Sequence, residues 1–472
     1  MKKMSKEDAV PLKEKISFGL SAIPDQLTYQ VFQFLIFTFY FTVVKIELTY
    51  MLIAYVVWGI WNAINDPLLG ALSERTKAKD KWGKRKYFLV ISFIPLSITM
   101  ILMFWVPFEG QIIKFTWFLA TIILFEFFYT LFDVNVNALF PEMFPNEEKR
   151  ASVNIFIKGT TIIALLLSSL LPMILVPNLV PANDSEIPEI MPDYFLMGIV
   201  LAIIIIVVTI PFLKYGVKER EEKDEDFEKR PSFIESLKVT LTNKTFLKFV
   251  IANTMVWYCF SILPTIIPIY ATQILGFEEE GIYVSLGLMI AFLIAALSLP
   301  IHKKMGAKFG MRNAFLITLG IWILTLLPYA LISGEAFQIP FLLITAAQGF
   351  PLSGALFYVD ILHGDVIDED ALSYGVKRSA SYYGINAFIH RISVILVIVT
   401  IFFMFGNIGW EKNYEPVVSD PLLVELGLKA IIFLFPALAL VVAIIFMKSY
   451  PLHGEKLHAM RKELAKYPEL LE

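Results

Sequence analysis

The stretch Trp61-Asn62-Ala63-Ile64-Asn65-Asp66-Pro67 interrupts the otherwise apolar segment 50–72. That segment is long enough to cross the hydrocarbon core of a bilayer as one helix. An ionised carboxylate at bilayer depth costs about 2.5 kcal/mol or more, so an intramembrane acid usually marks an ion or substrate pathway. Asp66 therefore predicts a cation, a proton or a basic partner inside the bilayer, which makes this chain a candidate membrane transporter.

The composition of the whole chain agrees with a membrane protein. The 472 residues are 57% hydrophobic and only 18% charged, and the charges are concentrated between apolar runs of about 20 residues. We predict an all-α membrane protein with 12 transmembrane helices. The predicted spans lie near 20–44, 50–72, 87–107, 115–143, 153–177, 194–214, 247–275, 281–301, 314–333, 339–364, 380–405 and 422–447.

The distribution of basic residues predicts the orientation. Of the 40 Lys and Arg residues, 34 fall in the termini and in loops on the same side as the termini, so we expect both termini to be cytoplasmic. We predict two pseudo-symmetric six-helix bundles at 1–216 and 245–450. The charged stretch 217–244 would link them and 451–472 would form a cytoplasmic tail.

The tail carries Leu457, Met460 and Leu464 at spacings of three and four residues. This spacing places all three on one side of a helix. It predicts an amphipathic helix at the membrane interface.

Polar side chains recur on one face of the second predicted span. Asn65 and Asp66 follow Asn62 by three and four positions, so all three project from the same side of a helix. Two amide oxygens and a carboxylate suit a small cation or a proton. A purely structural cluster of interhelical hydrogen bonds is the alternative.

The fourth predicted span carries a longer polar line. Glu126, Thr130, Asp133 and Asn137 follow one another in steps of four, three and four residues, which is one face of a helix over about three turns. Such a line must face protein or water rather than lipid.

Three further ionisable residues inside predicted spans are candidate functional residues. Asp25 follows Pro24 in the first span, and Lys158 lies in the fifth, where it can also extend to the interface. Arg391 lies about three turns into the eleventh span, and an arginine at that depth is a natural counter-ion for an intramembrane acid such as Asp66. No pattern indicates catalysis, and the sequence has no phosphate-binding glycine loop followed by Lys-Ser or Lys-Thr.

Three motifs, in order along the whole chain, resemble the glycoside-pentoside-hexuronide:cation symporters, the melibiose-permease-like branch of the major facilitator superfamily. The first is Trp61–Gly70 with the basic turn Trp82-Gly83-Lys84-Arg85-Lys86. The second is Tyr129-Thr130-Leu131-Phe132-Asp133 with Leu139-Phe140-Pro141. The third is Gly364-Asp365-Val366-Ile367-Asp368-Glu369-Asp370, followed by Gly375, Arg378, Tyr382, Gly384 and Phe388.

The resemblance implies the major facilitator fold, alternating access, and roles for individual residues. The implied cation site comprises Asn62, Asn65, Asp66 and Thr130. The implied solute site comprises Asp25, Asp133, Asn137 and Lys158. Arg391 takes the place of a lysine that neutralises the cation-site acids. The implied cytoplasmic gate comprises Arg75, Arg85, Asp365, Asp368 and Arg378.

Asn62 stands where the family motif has its first aspartate. The cation site would then hold one carboxylate in place of two, which weakens sodium binding more than protonation of Asp66. We therefore favour proton coupling over sodium coupling. Asn137 stands where the melibiose carrier has an aromatic platform for the sugar ring.

Three functions remain open from the sequence. The first is cation-coupled transport of a small polar solute such as a sugar or glycoside. The second is transport of an amphipathic substrate such as a lysolipid on the same fold. The third is a receptor or scaffold that transports nothing. For a transporter we expect a monomer in the plasma membrane, a small-molecule solute, no cofactor beyond the coupling ion and no nucleic-acid partner.

Overall fold

The computed structural model describes residues 10–75, 83, 85–144, 147–181, 183–218, 240–277, 280–375, 378–407 and 421–467. In these residues, eleven helical segments are long and apolar enough to cross a membrane. The first predicted span forms a helix of 17 residues, Ala22–Thr38, continued by the π-helical turn Phe39–Val43. The prediction of an all-helical membrane protein is confirmed.

The chain forms two compact units. The first comprises residues 1–226 with 279–285, and the second comprises 227–278 with 286–472. The predicted boundaries at 216 and 245 stay a prediction, since most of the linker, 219–239, lies outside the described residues.

Seven α-helices lie in the described part of the first unit, up to residue 218. They are α1 Leu12–Gly19, α2 Ala22–Thr38, α3 Leu48–Arg75, α4 Arg85–Met103, α5 Gln111–Met143, α6 Glu147–Leu175 and α7 Ile187–Pro211, the last continued by the π-helical turn Phe212–Gly216.

Helix α5 packs against α3 and α4, while α4 also packs against α7. A Cβ atom on Gly198 would lie 2.8 Å from the carbonyl oxygen of Met100, so a glycine is required where α7 crosses α4. Small residues permit this close approach between transmembrane helices.

Ten α-helices follow in the described residues from 240 onward. They are α8 Lys244–Leu275, α9 Glu280–Phe309, α10 Met311–Leu331, α11 Gln338–Ala347, α12 Gly349–Tyr374, α13 Ser379–His390, α14 Ile392–Asn407, α15 Pro421–Lys429, α16 Phe435–Lys448 and α17 Gly454–Leu464.

The ends of α8 follow from its sequence. The side chain of Asn243 accepts hydrogen bonds from the backbone N–H groups of Thr245 and Phe246, at 2.9 and 3.0 Å, and so caps the first turn. Gly276 ends the helix in the left-handed conformation at φ +64°, which glycine adopts without strain. Helix α8 packs against α14 and α16 within its unit.

Two of the predicted spans in this unit are α-helices interrupted at a single residue, and a third, 422–447, consists of α15 and α16 joined by the π-helical turn Ala430–Leu434. The tenth predicted span, 339–364, is divided between α11 and α12, with Gln348 between them. The eleventh, 380–405, is divided between α13 and α14 at Arg391. Interrupted helices leave backbone groups that require another partner, and in transporters such positions often lie near binding sites.

Helix α17, in the tail, packs against α12. Of the three apolar residues that predicted it, Leu464 is buried, and Leu457 and Met460 are half-buried. The prediction of a helix in this segment is therefore correct, and its apolar side is covered at least in part by the protein itself.

Candidate ion and solute site

The polar faces of α3 and α5 meet inside the first unit. Asn62, Asn65 and Asp66 lie on one side of α3, and Glu126 and Thr130 lie one turn apart on α5. We call these five residues the oxygen cluster. Asp66 is half-buried, whereas the other four are at most 1% exposed.

Thr130 connects the two acids of the oxygen cluster. Its hydroxyl oxygen lies 3.3 Å from Oδ1 of Asp66 and 3.3 Å from Oε1 of Glu126. Both distances exceed the usual 2.7–2.8 Å of an O–H···O hydrogen bond. A hydroxyl has a single hydrogen to donate, so Thr130 can satisfy only one of the two carboxylates at a time.

The position of Glu126 is set by two residues of α3. The indole N–H of Trp58 donates to Oε2 of Glu126 at 3.1 Å. The amide nitrogen of Asn65 donates to the backbone carbonyl of Glu126 at 3.0 Å. The amide oxygen of Asn65 is buried without a hydrogen-bond partner. The cluster therefore presents carboxylate, hydroxyl and amide oxygens, which are the ligand types that hard cations prefer.

A second group of polar residues surrounds Asp25, and we call it the Asp25 site. The hydroxyl of Tyr129 donates to Oδ1 of Asp25 at 2.7 Å, and the amide of Gln26 donates to Oδ2 at 2.7 Å. Lys158 is close enough to attract the Asp25 carboxylate electrostatically, although its own side chain is exposed. Two of the four predicted solute-site residues, Asp25 and Lys158, are thus brought together.

The other two predicted solute-site residues form a pair on α5. The amide of Asn137 donates to Oδ1 of Asp133 at 2.8 Å, and Asn137 is exposed. Asp133 also lies within electrostatic range of Tyr129, which joins this pair to the Asp25 site.

Aromatic rings connect the Asp25 site with the oxygen cluster. Tyr29 stacks on Tyr129 with centroids 5.4 Å apart, and Tyr129 stacks on Phe125 at 5.6 Å. Phe32 stacks on Phe125 at 4.9 Å and contacts Trp58 at 5.2 Å. This series of ring contacts therefore runs from Tyr29 to Trp58, whose indole N–H donates to Glu126.

The predicted gate residue Arg85 is buried at the start of α4 and forms an ion pair with the exposed Glu142. Its guanidinium lies 2.9 Å from Oε1 of Glu142 and donates to the hydroxyl of Ser73 at 2.8 Å. Arg85 thereby connects the ends of α3, α4 and α5. The side chain of Arg75, the other gate residue predicted in this unit, lies outside the described part of the chain.

Two predicted gate residues of the second unit, Arg378 and Asp365, pair with residues for which no role was predicted from the sequence. Arg378 pairs with the buried carboxylate of Asp370, and the Tyr382 hydroxyl donates to the same carboxylate at 2.9 Å. The hydrogen bond that Arg378 donates to Asp370 raises the pKa of the Arg378 guanidinium. The buried Asp365 pairs at 2.8 Å with Arg461 of α17. We call Asp365, Asp370, Arg378 and Arg461 the arginine-paired cluster.

Two other predicted residues of the second unit lie outside the arginine-paired cluster. Asp368 is half-buried on α12, between the two acids of the arginine-paired cluster. Arg391 is half-buried at the junction of α13 and α14. Because Asp66 belongs to the first unit and Arg391 to the second, the predicted pairing of the two stays a prediction.

No role was predicted from the sequence for Glu126, Asp370 or Arg461. The spacing of four residues between Glu126 and Thr130 was a visible signal, since it placed both on one face of α5. The contacts of Trp58 with Glu126 and of Arg461 with Asp365 join residues 68 and 96 positions apart. No local pattern reveals contacts at such separations.

The sequence matches the family model described as MFS/sugar transport protein over residues 17–454. A sodium-dependent lysophosphatidylcholine symporter 1-A of Danio rerio is 24% identical, over 98% of this chain and 90% of that protein. A Salmonella typhimurium protein named "Putative sulfoquinovose importer" is 24% identical, over 98% of this chain and 95% of that protein.

Solved structures support the fold. The nucleoside transporter NupG superposes with a TM-score of 0.63 at 14% identity, over 92% of this chain and 98% of that one. A bacterial homologue of the human peptide transporters PepT1 and PepT2 superposes with a TM-score of 0.64 at 12% identity, over 96% and 99%. The chain has the major facilitator fold, and it belongs to the MFS/sugar transport protein family of multi-pass membrane transporters.

Proposed function

We propose that this protein is a secondary active transporter that couples a cation to the movement of a small hydroxylated solute by alternating access. One observation carries the proposal: adjacent residues of α5 contact two different acids. Tyr129 donates to Asp25, and Thr130 lies against Asp66. An ion at the oxygen cluster and a solute at the Asp25 site would therefore act on the same turn of one helix.

This arrangement supplies a physical route for coupling. An ion that binds between Asp66 and Thr130 would reposition the Thr130 hydroxyl and the turn of α5 that carries it. The same turn orients the Tyr129 hydroxyl toward Asp25. If ion occupancy changes solute affinity in this way, thermodynamic linkage requires the solute to change ion affinity by the same factor.

The Asp25 site suits a hydroxylated solute. The carboxylates of Asp25 and Asp133 accept hydrogen bonds from hydroxyl groups, and the stacked rings of Tyr29 and Tyr129 offer an apolar surface beside them. Lys158 adds a positive charge that favours a solute with an acidic group. The Salmonella relative, named for a sulfonated sugar, supports a solute of that chemistry.

A lysolipid is the second candidate substrate. The relative from Danio rerio is named for lysophosphatidylcholine, and it matches this chain over nearly its full length. A lysolipid also carries a phosphate that Lys158 can attract. The two candidates differ in the acyl chain, which a lysolipid must keep in contact with apolar surface throughout transport.

The test is uptake into proteoliposomes under an imposed sodium or proton gradient. We would compare neutral glycosides, sulfonated sugars and lysophosphatidylcholine as solutes. Gradient-driven uptake of at least one solute is expected, with loss of uptake in Asp25→Asn and loss of the gradient dependence in Asp66→Asn. Glu109→Gln, in an exposed loop, is the matched control. Uptake that neither gradient accelerates would overturn the proposed coupling.

We further propose that the protein acts as a monomer in the plasma membrane with both termini in the cytoplasm. The concentration of Lys and Arg in the termini and in the loops on the same side supports this orientation. The residues that pair across the ends of α3, α4 and α5, and across α12 and α17, would then lie on the cytoplasmic side, where the resemblance places a gate.

A further inference from the structure

We propose that the second unit contains a solute-binding site of its own, in which His363 and Asn253 bind hydroxyl groups of the transported solute. The inference rests on the proposed function and deepens it, because it adds residues that determine the specificity for that solute. No role was predicted from the sequence for either residue.

The buried imidazole of His363 on α12 has one nitrogen without a partner. The side chain is 2% exposed, and its Nε2 makes no hydrogen bond. Phe249 of α8 stacks on the ring with centroids 4.8 Å apart, and Tyr383 of α13 contacts it edge-on at 4.5 Å. These contacts hold the plane of the ring and leave Nε2 unsatisfied. A buried polar atom in that state is unfavourable until a ligand or water binds it.

The buried amide of Asn253 on α8 is unsatisfied in the same way. Its side chain is 1% exposed, and its Nδ2 donates to Oδ1 of Asn386 on α13 at 2.9 Å, whereas its Oδ1 has no hydrogen-bond partner. Turning the amide over would only exchange the two atoms. Asn253 lies one turn after Phe249, the residue that stacks on His363, so the two unsatisfied side chains lie in the same region of the unit.

The surrounding residues connect three helices. Asn386 and His390 lie one turn apart on α13, and His390 stacks on Trp257 of α8 with centroids 4.8 Å apart. His390 also interacts electrostatically with His363. Helices α12 and α13 both pack against α8. We call the five residues of this region the histidine site: Asn253, Trp257, His363, Asn386 and His390.

A solute can reach the histidine site from one side of α12 and α13. Tyr383, which contacts His363, is 51% exposed. Asp360, three residues before His363 on α12, is also exposed and interacts electrostatically with Tyr383. Both residues lie inside predicted spans, where an exposed carboxylate faces water or polar groups rather than lipid. This polar side of the two helices is therefore the side from which a solute would approach.

The chemistry of the histidine site favours hydroxyl groups. A hydroxyl both donates and accepts, so it can donate to the oxygen of Asn253 and accept from the imidazole N–H of His363. A sulfonate or phosphate group has no hydrogen to donate, so it would leave the oxygen of Asn253 unsatisfied. In the Asp25 site, by contrast, Lys158 favours an acidic group. The two sites therefore differ in the chemical group that they select.

The test measures sugar binding by the purified full-length protein with calorimetric titration. The probes are xylose, glucose and sulfoquinovose, which share their ring hydroxyl groups and differ in one substituent that is absent, neutral or sulfonated. His363→Phe keeps a ring against Phe249 and removes both nitrogens. We expect it to weaken binding of all three sugars by about 3- to 10-fold, the effect of one neutral hydrogen bond. Lys158→Gln should weaken only sulfoquinovose.

Monodeoxy analogues of glucose separate a direct contact from a structural role. If His363 binds a hydroxyl, the analogue that lacks this hydroxyl should bind equally to the wild-type protein and to His363→Phe, because the contact is already lost. A structural defect would weaken every analogue alike and would contradict the contact. His458→Phe makes the same change at an exposed histidine of α17 and should bind all probes as the wild type does.

Where His363→Phe fails to fold, the double variant Asn253→Leu/Asn386→Leu takes its place. It removes both amides of the pair, so neither is left without its partner, and the same loss of affinity is expected.

Three results would overturn the histidine site: wild-type affinity for the sugars in these variants, a loss confined to sulfoquinovose, or a wild-type protein that binds none of the three sugars. In each case, gradient-driven uptake of any solute into proteoliposomes would leave the proposed transport function intact. Absence of uptake under both gradients would refute the function itself, whatever sugar the purified protein binds.

Discussion

The oxygen cluster and the arginine-paired cluster both contain buried acids, and the hydrogen bonds described for these acids come from different kinds of donor. Glu126 accepts hydrogen bonds from Trp58 and Thr130, which are neutral donors. Asp370 accepts two hydrogen bonds from the Arg378 guanidinium and one from Tyr382. Neutral donors hold a carboxylate in place without cancelling its charge, whereas a guanidinium cancels it.

The difference indicates two uses of the same residue type. An acid held by neutral donors keeps its attraction for a mobile cation, so its occupancy can change during a transport cycle. An acid paired with arginine is already compensated, so it joins helices and contributes to stability. The comparison therefore predicts that substitutions in the two clusters affect different measurements.

The largest effect is expected for Asp66→Asn in the oxygen cluster. Removing this charge while keeping the shape should reduce gradient-driven uptake about 10- to 100-fold, in proportion to the loss of a charged interaction. Initial rates in proteoliposomes measure it, with thermal unfolding in sodium-free buffer as the control for folding. Undiminished uptake would show that the oxygen cluster does not drive transport.

The second effect is expected for Asp370→Asn in the arginine-paired cluster. This change leaves Arg378 without its charge partner, and breaking a buried pair costs up to about 3–5 kcal/mol. Since Arg378 is itself 19% exposed, we expect a loss of about 2 kcal/mol in the free energy of unfolding, measured by thermal or denaturant unfolding.

Glu126→Gln is the matched comparison for Asp370→Asn. In sodium-free buffer it removes one of two like charges and should not lower the melting temperature. If Glu126→Gln is the more destabilising of the two variants, the distinction between the clusters fails.

A smaller effect is expected for Arg461→Gln in α17. Its partner Asp365 is buried, but the arginine side chain is 53% exposed, so water compensates part of the loss. We expect a decrease of about 1 kcal/mol in the stability with which α17 is held against α12. Faster limited proteolysis within 450–467 would report it, and the exposed neighbour Lys462→Gln should cleave at the wild-type rate.

The smallest effect is expected for Lys456→Gln. Its amino group lies 3.7 Å from Glu369, and its side chain is 59% exposed. An exposed ion pair at that distance contributes less than about 0.5 kcal/mol, so proteolysis of α17 should change little. An effect as large as that of Arg461→Gln would mean that solvent exposure does not determine how much each ion pair of this helix contributes to its stability.

Much of the fold could be predicted from the sequence. The lengths of the apolar runs set the number and approximate bounds of the spans, because the hydrocarbon core has a fixed thickness. Asn62, Asn65 and Asp66 were assigned to one face of α3 by spacing alone, since the helical repeat fixes which residues share a side. The split of the eleventh predicted span at Arg391 was not predicted, because no proline or glycine stands at that position.

The sequence by itself therefore determined that this is a helical membrane protein, which residues lie on common helix faces, and that acids occur at membrane depth. Only the tertiary structure decided which faces meet. Trp58 and Glu126, or Arg461 and Asp365, come together through packing of helices that are distant in the chain, and helical periodicity carries no information about such contacts. The count of two acids beside Thr130 depends on that packing.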